Sequence, residues 1–313
     1  MDRAGQIFRF LSRWGLLIIL VLLIIGFTLV KPIMLTGMNF VNILVVAGPV
    51  GLISLGMTLV ILAGEFDLSA GALAALASLV VTLLIVEDYW PFALALIFIL
   101  LVVMLFECLV GLLRVRLKVP IIMTTLLAYF LFVYLSPVLS MGVPTYLLYG
   151  YNPSVGVIAG VVMLALFLLS YLLTRYSQFG RRLSLVGQSN GVNGGRVKIV
   201  VMAISGLLAV AAGIASILYL GATGPYLNGS WTLSALAVLS ISGNGVRPGK
   251  ANVLNTLLGL LILMVLQNGL ILLAVDPMVY VQICYVLVFV MVVFAAFFFW
   301  RDRWGGKGRR RNM

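Results

Sequence analysis

The chain has 313 residues, of which 64% are hydrophobic and only 9% are charged. A soluble domain has roughly 45–50% apolar and about 25% charged residues, so this composition excludes a soluble globular protein and indicates an integral membrane protein. The net charge of +12 is carried by basic residues at the ends of apolar segments, which indicates membrane topology and no nucleic acid partner.

Apolar segments separated by turn residues predict an all-α polytopic membrane protein of about ten transmembrane helices, with both termini in the cytoplasm. The predicted spans are residues 14–30, 41–63, 70–86, 91–113, 120–141, 154–174, 199–221, 231–243, 251–273 and 278–300. The eighth is short for a full crossing, which leaves a half-helix or a re-entrant segment open.

The two ends of the chain are predicted to be short cytoplasmic segments around a single transmembrane domain of residues 14–300. Residues 1–13 are basic and precede an apolar core that is longer than that of a signal peptide, which predicts an uncleaved first span. The tail, residues 301–313, is also basic and is predicted to be an anchor that attracts anionic membrane lipid.

The distribution of basic residues predicts the orientation of the spans. With a cytoplasmic amino end, every lysine and arginine except Lys31 falls on the cytoplasmic side, as the positive-inside rule requires. The longest cytoplasmic loop, about residues 175–198, is either a solvated connector or a docking surface. The external connections 142–153 and 222–230 carry no charge, which suits contact with a pore mouth or an external partner.

Two carboxylates, Glu65 and Asp67, interrupt an otherwise uncharged run from Val41 to Val86. An ionisable group at membrane depth costs roughly 2.5–3.5 kcal/mol on insertion, so such groups are usually paired, solvated or functional. The polar residues singled out on this ground are Thr58, Glu65, Asp67, Ser69, Glu107, Thr125 and Asn268.

Each of these polar residues also has a purely structural interpretation. For a hydroxyl or amide it is an interhelical hydrogen bond, worth about 0.6 kcal/mol on average. Asp67 and Ser69 are alternatively capping residues at the amino end of the third span. Glu107 is alternatively an ion-pair partner, across helices, of the basic cluster that begins at Arg114.

Small residues recur on one face of the third and seventh spans, where they predict close helix packing. They are Ala70, Gly71, Ala74 and Ala77 in the third span, and Gly206, Ala209 and Gly213 in the seventh.

The sequence shows no pattern for catalysis. It contains no histidine, which excludes a Ser-His-Asp triad and the usual zinc sites, and its two cysteines both lie in predicted spans. The segment from Gly243 to Ala251 resembles a phosphate-binding loop, but Asn244 and Ala251 replace the first glycine and the magnesium-binding hydroxyl. We therefore expect no enzyme activity, no cofactor and no ATP hydrolysis by this chain alone.

Several fragments in order resemble one known family, the permease subunits of bacterial and archaeal ABC importers for ribose, xylose and related simple sugars. Residues 55–71 resemble the family signature GMTxVIxxGGIDLSVG. Similar fragments are Pro120 with Thr125 and Leu126, Phe179-Gly180-Arg181, Ser205-Gly206 with Ala209 and Gly213, and residues 241–259 with Asn268-Gly269. The resemblance covers the chain from about Asn39 to Val293.

The resemblance implies a multi-pass protein of the cell membrane that works with partners. These are a second permease subunit, identical or different, a cytoplasmic ATPase pair that holds ATP and magnesium, and an extracytoplasmic solute-binding protein. It places the polar residues above on the translocation path or in the signature loop. It also implies ATPase coupling through Phe179, Gly180, Arg181, Arg182, Gly187 and Asn190.

Departures from the family pattern leave the cargo and the coupling open. The loop after Gly187 is shorter than in the family, so the coupling helix is abbreviated or this subunit is the less engaged half of a heterodimer. Thr232 and Ser234 stand where the family often has Glu and Asp, and Pro248 and Asn255 replace glycines.

Two alternatives to a sugar importer remain at this point. The first keeps the architecture but carries a nucleoside, a branched-chain amino acid or a furanose-like signal molecule. The second is a self-sufficient secondary transporter coupled to ions through Glu65, Asp67 or Glu107.

Overall fold

The structure, a computed structural model, describes residues 3–147, 152–188, 194–224, 228–246 and 249–309. For residues 3–13, 228–229 and 298–309 it describes the backbone only. The α-helices are α1 (Arg3–Val30), α2 (Gly37–Leu62), α3 (Ala70–Val86), α4 (Phe92–Arg116), α5 (Ile121–Leu139), α6 (Pro153–Tyr176), α7 (Gln178–Gln188), α8 (Gly195–Leu220), α9 (Asn228–Ile241), α10 (Val253–Leu272) and α11 (Pro277–Arg309). Short 3-10 helices cover Pro32–Leu35 and Asn244–Val246, and β1 (Thr145–Tyr146) pairs with β2 (Ala222–Thr223).

The prediction of an all-α polytopic membrane protein is confirmed, because each predicted span coincides with most or all of one helix. Among the described residues, seven helices are long and apolar enough to cross a membrane. Three further apolar stretches are shorter: Trp14–Val30 within α1, Ala70–Val86, which is α3, and Ser230–Ile241 within α9. Ten full crossings and cytoplasmic termini remain predictions.

Helices α2, α3 and α8 form the centre of the bundle. In the most apolar window of α2, 83% of the residues are buried, against 11% in that of α11. A helix that is apolar all round fits a position surrounded by other helices. Helices α1, α4, α5, α6 and α11 instead carry many exposed large apolar side chains, as expected where helices face lipid.

Small residues allow α3 to pack closely on its neighbours, as predicted. A Cβ added to Gly213 of α8 would overlap the Ala74 carbonyl oxygen of α3, and one added to Gly71 would overlap Thr232 of α9. Close backbone approach of this kind is what small residues provide between membrane helices.

The two ends of the bundle differ in composition. At one end, here called the sheet end, β1 and β2 pair antiparallel and join the uncharged connections after α5 and α8. At the other, the α7 end, Gly187 of α7 lies against Gly64 and Gly249. The basic residues Arg114 and Lys198 lie at this end, so the segregation of charge found in the sequence is present in three dimensions.

The link between α2 and α3, residues 63–69, turns back into the bundle. A Cβ on Gly56 would lie 3.1 Å from the Ser205 Cα, and the Asp67 carboxylate also reaches Ser205. Gly64, between these positions in the chain, lies instead against Gly187 at the α7 end. The chain therefore goes to the end of the bundle at Gly64 and returns to the level of Gly56 at Asp67, so α3 starts inside the protein.

Candidate functional site

Glu65 accepts hydrogen bonds from two basic side chains. Its Oε1 lies 2.9 Å from Arg114 Nε and 2.5 Å from Lys198 Nζ. The Glu65 and Lys198 side chains are 5% and 8% exposed, whereas that of Arg114 is 31% exposed. Arg114 is in the last turn of α4 and Lys198 is in the first turn of α8, so one carboxylate ties the link to both helices.

Asp67 is the centre of a second group of hydrogen bonds. Its Oδ1 accepts from the Ser69 backbone N–H at 2.9 Å and from Ser69 Oγ at 2.6 Å, and its Oδ2 accepts from Ser205 Oγ at 3.1 Å. Burial raises the pKa of this carboxyl, whereas the bonds from Ser69, from Ser205 and from the Ala70 backbone lower it.

The capping role at the start of α3 belongs to Asp67 and not to Ser69. Ser69 is the N-cap residue, but its side chain makes no capping hydrogen bond. It donates to Asp67 instead, and the carboxylate accepts the Ser69 backbone N–H. A carboxylate at a helix amino end is favourable because several orphan N–H groups converge there.

Glu107 does not pair with the basic cluster at Arg114, and that prediction is wrong. Arg114 bonds Glu65 instead, while both oxygens of Glu107, a fully buried residue, lack a hydrogen-bond partner among the described residues. The Glu107 side chain packs against Gly206 of α8, where an added Cβ would lie 2.6 Å from Glu107 Cγ. An ionisable residue in a span with no partner is a candidate for function.

Thr125 and Thr58 hold neighbouring segments together. Thr125 Oγ1, near the start of α5, lies 3.3 Å from the Phe66 carbonyl oxygen in the link and 3.0 Å from the Ile121 carbonyl oxygen. Thr58 Oγ1 is 2.7 Å from Thr256 Oγ1 of α10. Both hydroxyls therefore make the structural contacts that polar groups usually make in membrane helices.

Asn244 extends this network into the connection between α9 and α10. Its Nδ2 donates to Thr256 Oγ1 at 2.7 Å, and its Oδ1 accepts from the Asn252 backbone N–H at 2.8 Å. Asn244, which replaces the first glycine of the phosphate-loop pattern, thus stabilises the connection between α9 and α10.

Asn268 lies apart from the other candidates. It is in the last turns of α10, towards the sheet end, and its Oδ1 is buried without a hydrogen-bond partner among the described residues. The neighbouring Gly269 packs against the Phe27 ring of α1.

The cytoplasmic loop predicted around residues 175–198 contains a helix, α7. The Ser177 Oγ accepts a hydrogen bond from the Gly180 N–H at 3.2 Å and so caps the first turn of α7. Gly180 allows α7 to approach the Thr174 carbonyl at the end of α6. Phe179 and Gly187 are half-buried, Arg181 and Arg182 are exposed, and Asn190 lies outside the described residues.

Three partners of the carboxylates were not predicted from the sequence: Arg114, Lys198 and Ser205. Arg114 was considered as a partner of Glu107 and not of Glu65, Lys198 was used only to establish topology, and Ser205 was noted only as part of a motif. One signal was available in the sequence. Two basic side chains lie at the ends of spans, and the bundle offers few acidic residues that could pair with them. Among the described residues no three His, Cys, Asp or Glu come together as metal ligands would.

The chain matches the family described as branched-chain amino acid transport system / permease component over residues 39–296. It is 30% identical to the ribose import permease protein of Bacillus subtilis, over 85% of this chain and 87% of the relative. It is 28% identical to the ribose import permease protein of Haemophilus influenzae, over 93% and 94%. A shorter match, 34% identical over 36% and 31%, is to the xylose transport system permease protein of Escherichia coli. No solved structure matches the chain.

The family match and the two ribose permease matches extend over most of the transmembrane domain and agree with the apolar helices described above. They confirm a multi-pass protein of the cell membrane and match it to transport permeases. The chain belongs to this permease family, as a permease subunit of the sugar-type ABC importers.

Proposed function

We propose that this protein forms the translocation path of an ATP-driven importer for a monosaccharide or similar small polar solute. The observation that carries the proposal is the match to ribose import permeases over most of both chains. In this arrangement an extracytoplasmic binding protein delivers the solute, and a second permease subunit, identical or different, completes the path. ATP and magnesium bind to the partner ATPase.

Helix α7 supports a docking role at the cytoplasmic face. It buries Gly180 and Leu183 and exposes Arg181, Arg182 and Leu185 on its opposite side. Leu185 is 68% exposed, although α7 is too polar and too short to enter the bilayer. An exposed leucine between two arginines suits a protein partner with an apolar pocket and an acidic rim.

The path itself is proposed to pass the inward-turning link. Asp67 and Ser69 lie there at the start of α3, and Glu107 is buried on the neighbouring α4. Glu65, Thr125 and Thr58 hold the surrounding segments in place. Asn268, towards the other end of α10, is proposed to contact the path near its external side.

Reconstitution with the partner proteins tests the proposed function. Proteoliposomes that contain this chain, its ATPase and its binding protein should take up radiolabelled ribose only with ATP inside and binding protein outside. Xylose, nucleosides, branched-chain amino acids and furanose-like compounds, added as competitors, identify the cargo class. Robust uptake by this chain alone would overturn the proposal.

Charge reversal on α7 is expected to weaken ATPase docking. Arg181→Glu or Arg182→Glu places a carboxylate where the partner is proposed to be acidic, and like charges across an interface cost affinity. The fraction of ATPase that co-purifies with the permease should fall roughly tenfold for the double variant, from about 1.4 kcal/mol of lost affinity.

Arg116→Glu is the matched control for this experiment. Arg116 is exposed at the same end of the bundle but lies on α4, so its reversal changes net charge by as much as either single α7 reversal without touching α7. Co-purification should stay at the parental level in this control. Unchanged co-purification in the Arg181 and Arg182 variants would show that α7 is not the docking element.

A second candidate, an ion-coupled secondary transporter, is favoured by one observation, the unpartnered carboxylate of Glu107. Proton- or sodium-driven exchange in liposomes without ATP, abolished by Glu107→Gln, would support it. Uptake that needs ATP and persists in Glu107→Gln would exclude it.

A further inference from the structure

Three glycines from separate parts of the chain meet at the α7 end of the bundle. They are Gly64 in the link, Gly187 in α7, and Gly249 in the connection from α9 to α10, and we call them the glycine junction. A Cβ on Gly187 would lie 2.7 Å from the Gly249 Cα and 3.0 Å from the Gly64 nitrogen, and would overlap the Leu62 carbonyl oxygen. Backbone therefore packs directly on backbone in all three segments.

The backbone conformation at the junction also requires glycine. Gly64 and Gly249 both have φ of +79°, a left-handed conformation that residues with a Cβ adopt only at a cost. The Gly249 N–H donates to the Ile61 carbonyl oxygen at 2.7 Å. The α9–α10 connection is thus fixed to the end of α2 as well as to α7.

Each segment of the junction leads to a polar contact deeper in the bundle. From Gly64 the link reaches Asp67 in three residues, and Asp67 bonds Ser205 of α8. From Gly249 the connection reaches Asn252, which bonds Asn244. Because no side chain lies between the three backbones, a displacement of α7 cannot be absorbed by a change of rotamer and must move the other two segments.

We propose that the glycine junction transmits movement of α7 to the link, and so positions Asp67 against α8 during the transport cycle. The proposal rests on the proposed function, in which α7 contacts the ATPase. Gly64, Gly187 and Gly249 are then positioning residues, which act through Asp67 without contacting the solute.

Gly249→Ala is the main test, with Gly243→Ala as its matched control. Gly243 has a similar φ of +69° in the same connection, but an added Cβ there would meet nothing within 4 Å. Both variants place an alanine at a position of left-handed backbone conformation, so the backbone strain is similar. Only in Gly249→Ala does the added Cβ push the segments of the glycine junction apart. We expect ATP-driven uptake to fall roughly tenfold in Gly249→Ala relative to Gly243→Ala, with ATPase co-purification equal in the two.

Equal uptake in the two variants would overturn the proposal, as would equal loss of uptake and of co-purified ATPase in Gly249→Ala. Uptake by the parental complex distinguishes failure of the junction proposal from failure of the proposed function. If the parental complex shows no ATP-driven uptake, the proposed function fails; if it does and Gly249→Ala matches its control, only the junction is wrong.

A labelling experiment tests the transmission without a junction variant. Leu68 is half-buried in the link, and Leu68→Cys can report its exposure after Cys108 and Cys284 are replaced by alanine. Reaction of this thiol with a maleimide should change at least about twofold when the bound ATPase is supplied with a non-hydrolysable ATP analogue. A rate that does not respond to nucleotide in an actively transporting complex would overturn the proposal.

Discussion

Glu65→Gln is expected to lower the free energy of unfolding by about 3–5 kcal/mol, because removal of one partner leaves a buried charge uncompensated. In the native protein the Glu65 carboxylate bonds both Arg114 and Lys198, and Lys198 is buried with it. Without the carboxylate, two cations lie side by side at the end of the bundle. Unfolding of the purified protein in detergent, followed by temperature or denaturant, measures the loss.

The control for this prediction is Glu87→Gln. Glu87 is exposed at the end of α3, so its neutralisation changes net charge equally but should alter stability by less than about 0.5 kcal/mol. Adding Lys198→Met to Glu65→Gln should recover much of the loss, because the remaining cation, Arg114, can reach water. A Glu65→Gln protein as stable as the Glu87→Gln control would show that the ion pairs contribute little.

The ten apolar segments and their ends follow from hydropathy and turn residues, since a span must be apolar whatever its neighbours are. The short eighth segment and the inward position of Asp67 also have local signals. Residues 231–243 provide too few apolar residues for a crossing, and two carboxylates next to a helix start need donors.

The partners of the carboxylates could not be predicted, because they depend on contacts between distant parts of the chain. Glu65 is 49 residues from Arg114 and 133 from Lys198. Arg114 and Lys198 belong to two different basic clusters in the sequence, and no local sequence signal indicates which carboxylate each of them contacts. The prediction chose Glu107 because it precedes Arg114 by two turns, but packing against Gly206 turns its side chain towards α8.

Helix α7 was hidden by composition. Its residues include glycines, serine and arginines, and this composition alone is typical of a solvated connector between helices. The spacing of Gly180, Leu183 and Gly187 by three and four nevertheless describes one face of a helix. Glycine on that face is required by close backbone contact with α6 and with the link, so the residues that weaken the helical prediction are those that allow it to pack.

Asp67→Asn is expected to impair transport more than Ser69→Ala. The carboxylate accepts three hydrogen bonds from Ser69 and Ser205, and bonds to a charged group contribute about 1.5–3 kcal/mol each. An asparagine keeps one acceptor oxygen and turns an N–H₂ group towards a donor. Uptake should therefore fall roughly tenfold or more, one power of ten for each 1.4 kcal/mol lost.

Ser69→Ala removes one of these donors and leaves the Ser69 backbone N–H bonded to Asp67, so uptake should fall by at most roughly tenfold, from about 1.5 kcal/mol for the one bond lost. Both variants are compared with Asp88→Asn, an exposed acid, at equal amounts of assembled complex. Near-normal uptake in both would contradict a role for Asp67 in transport. If Ser205→Ala matches Asp67→Asn, then the bond between the link and α8 is what transport requires, because this variant leaves the start of α3 and the charge of Asp67 unchanged.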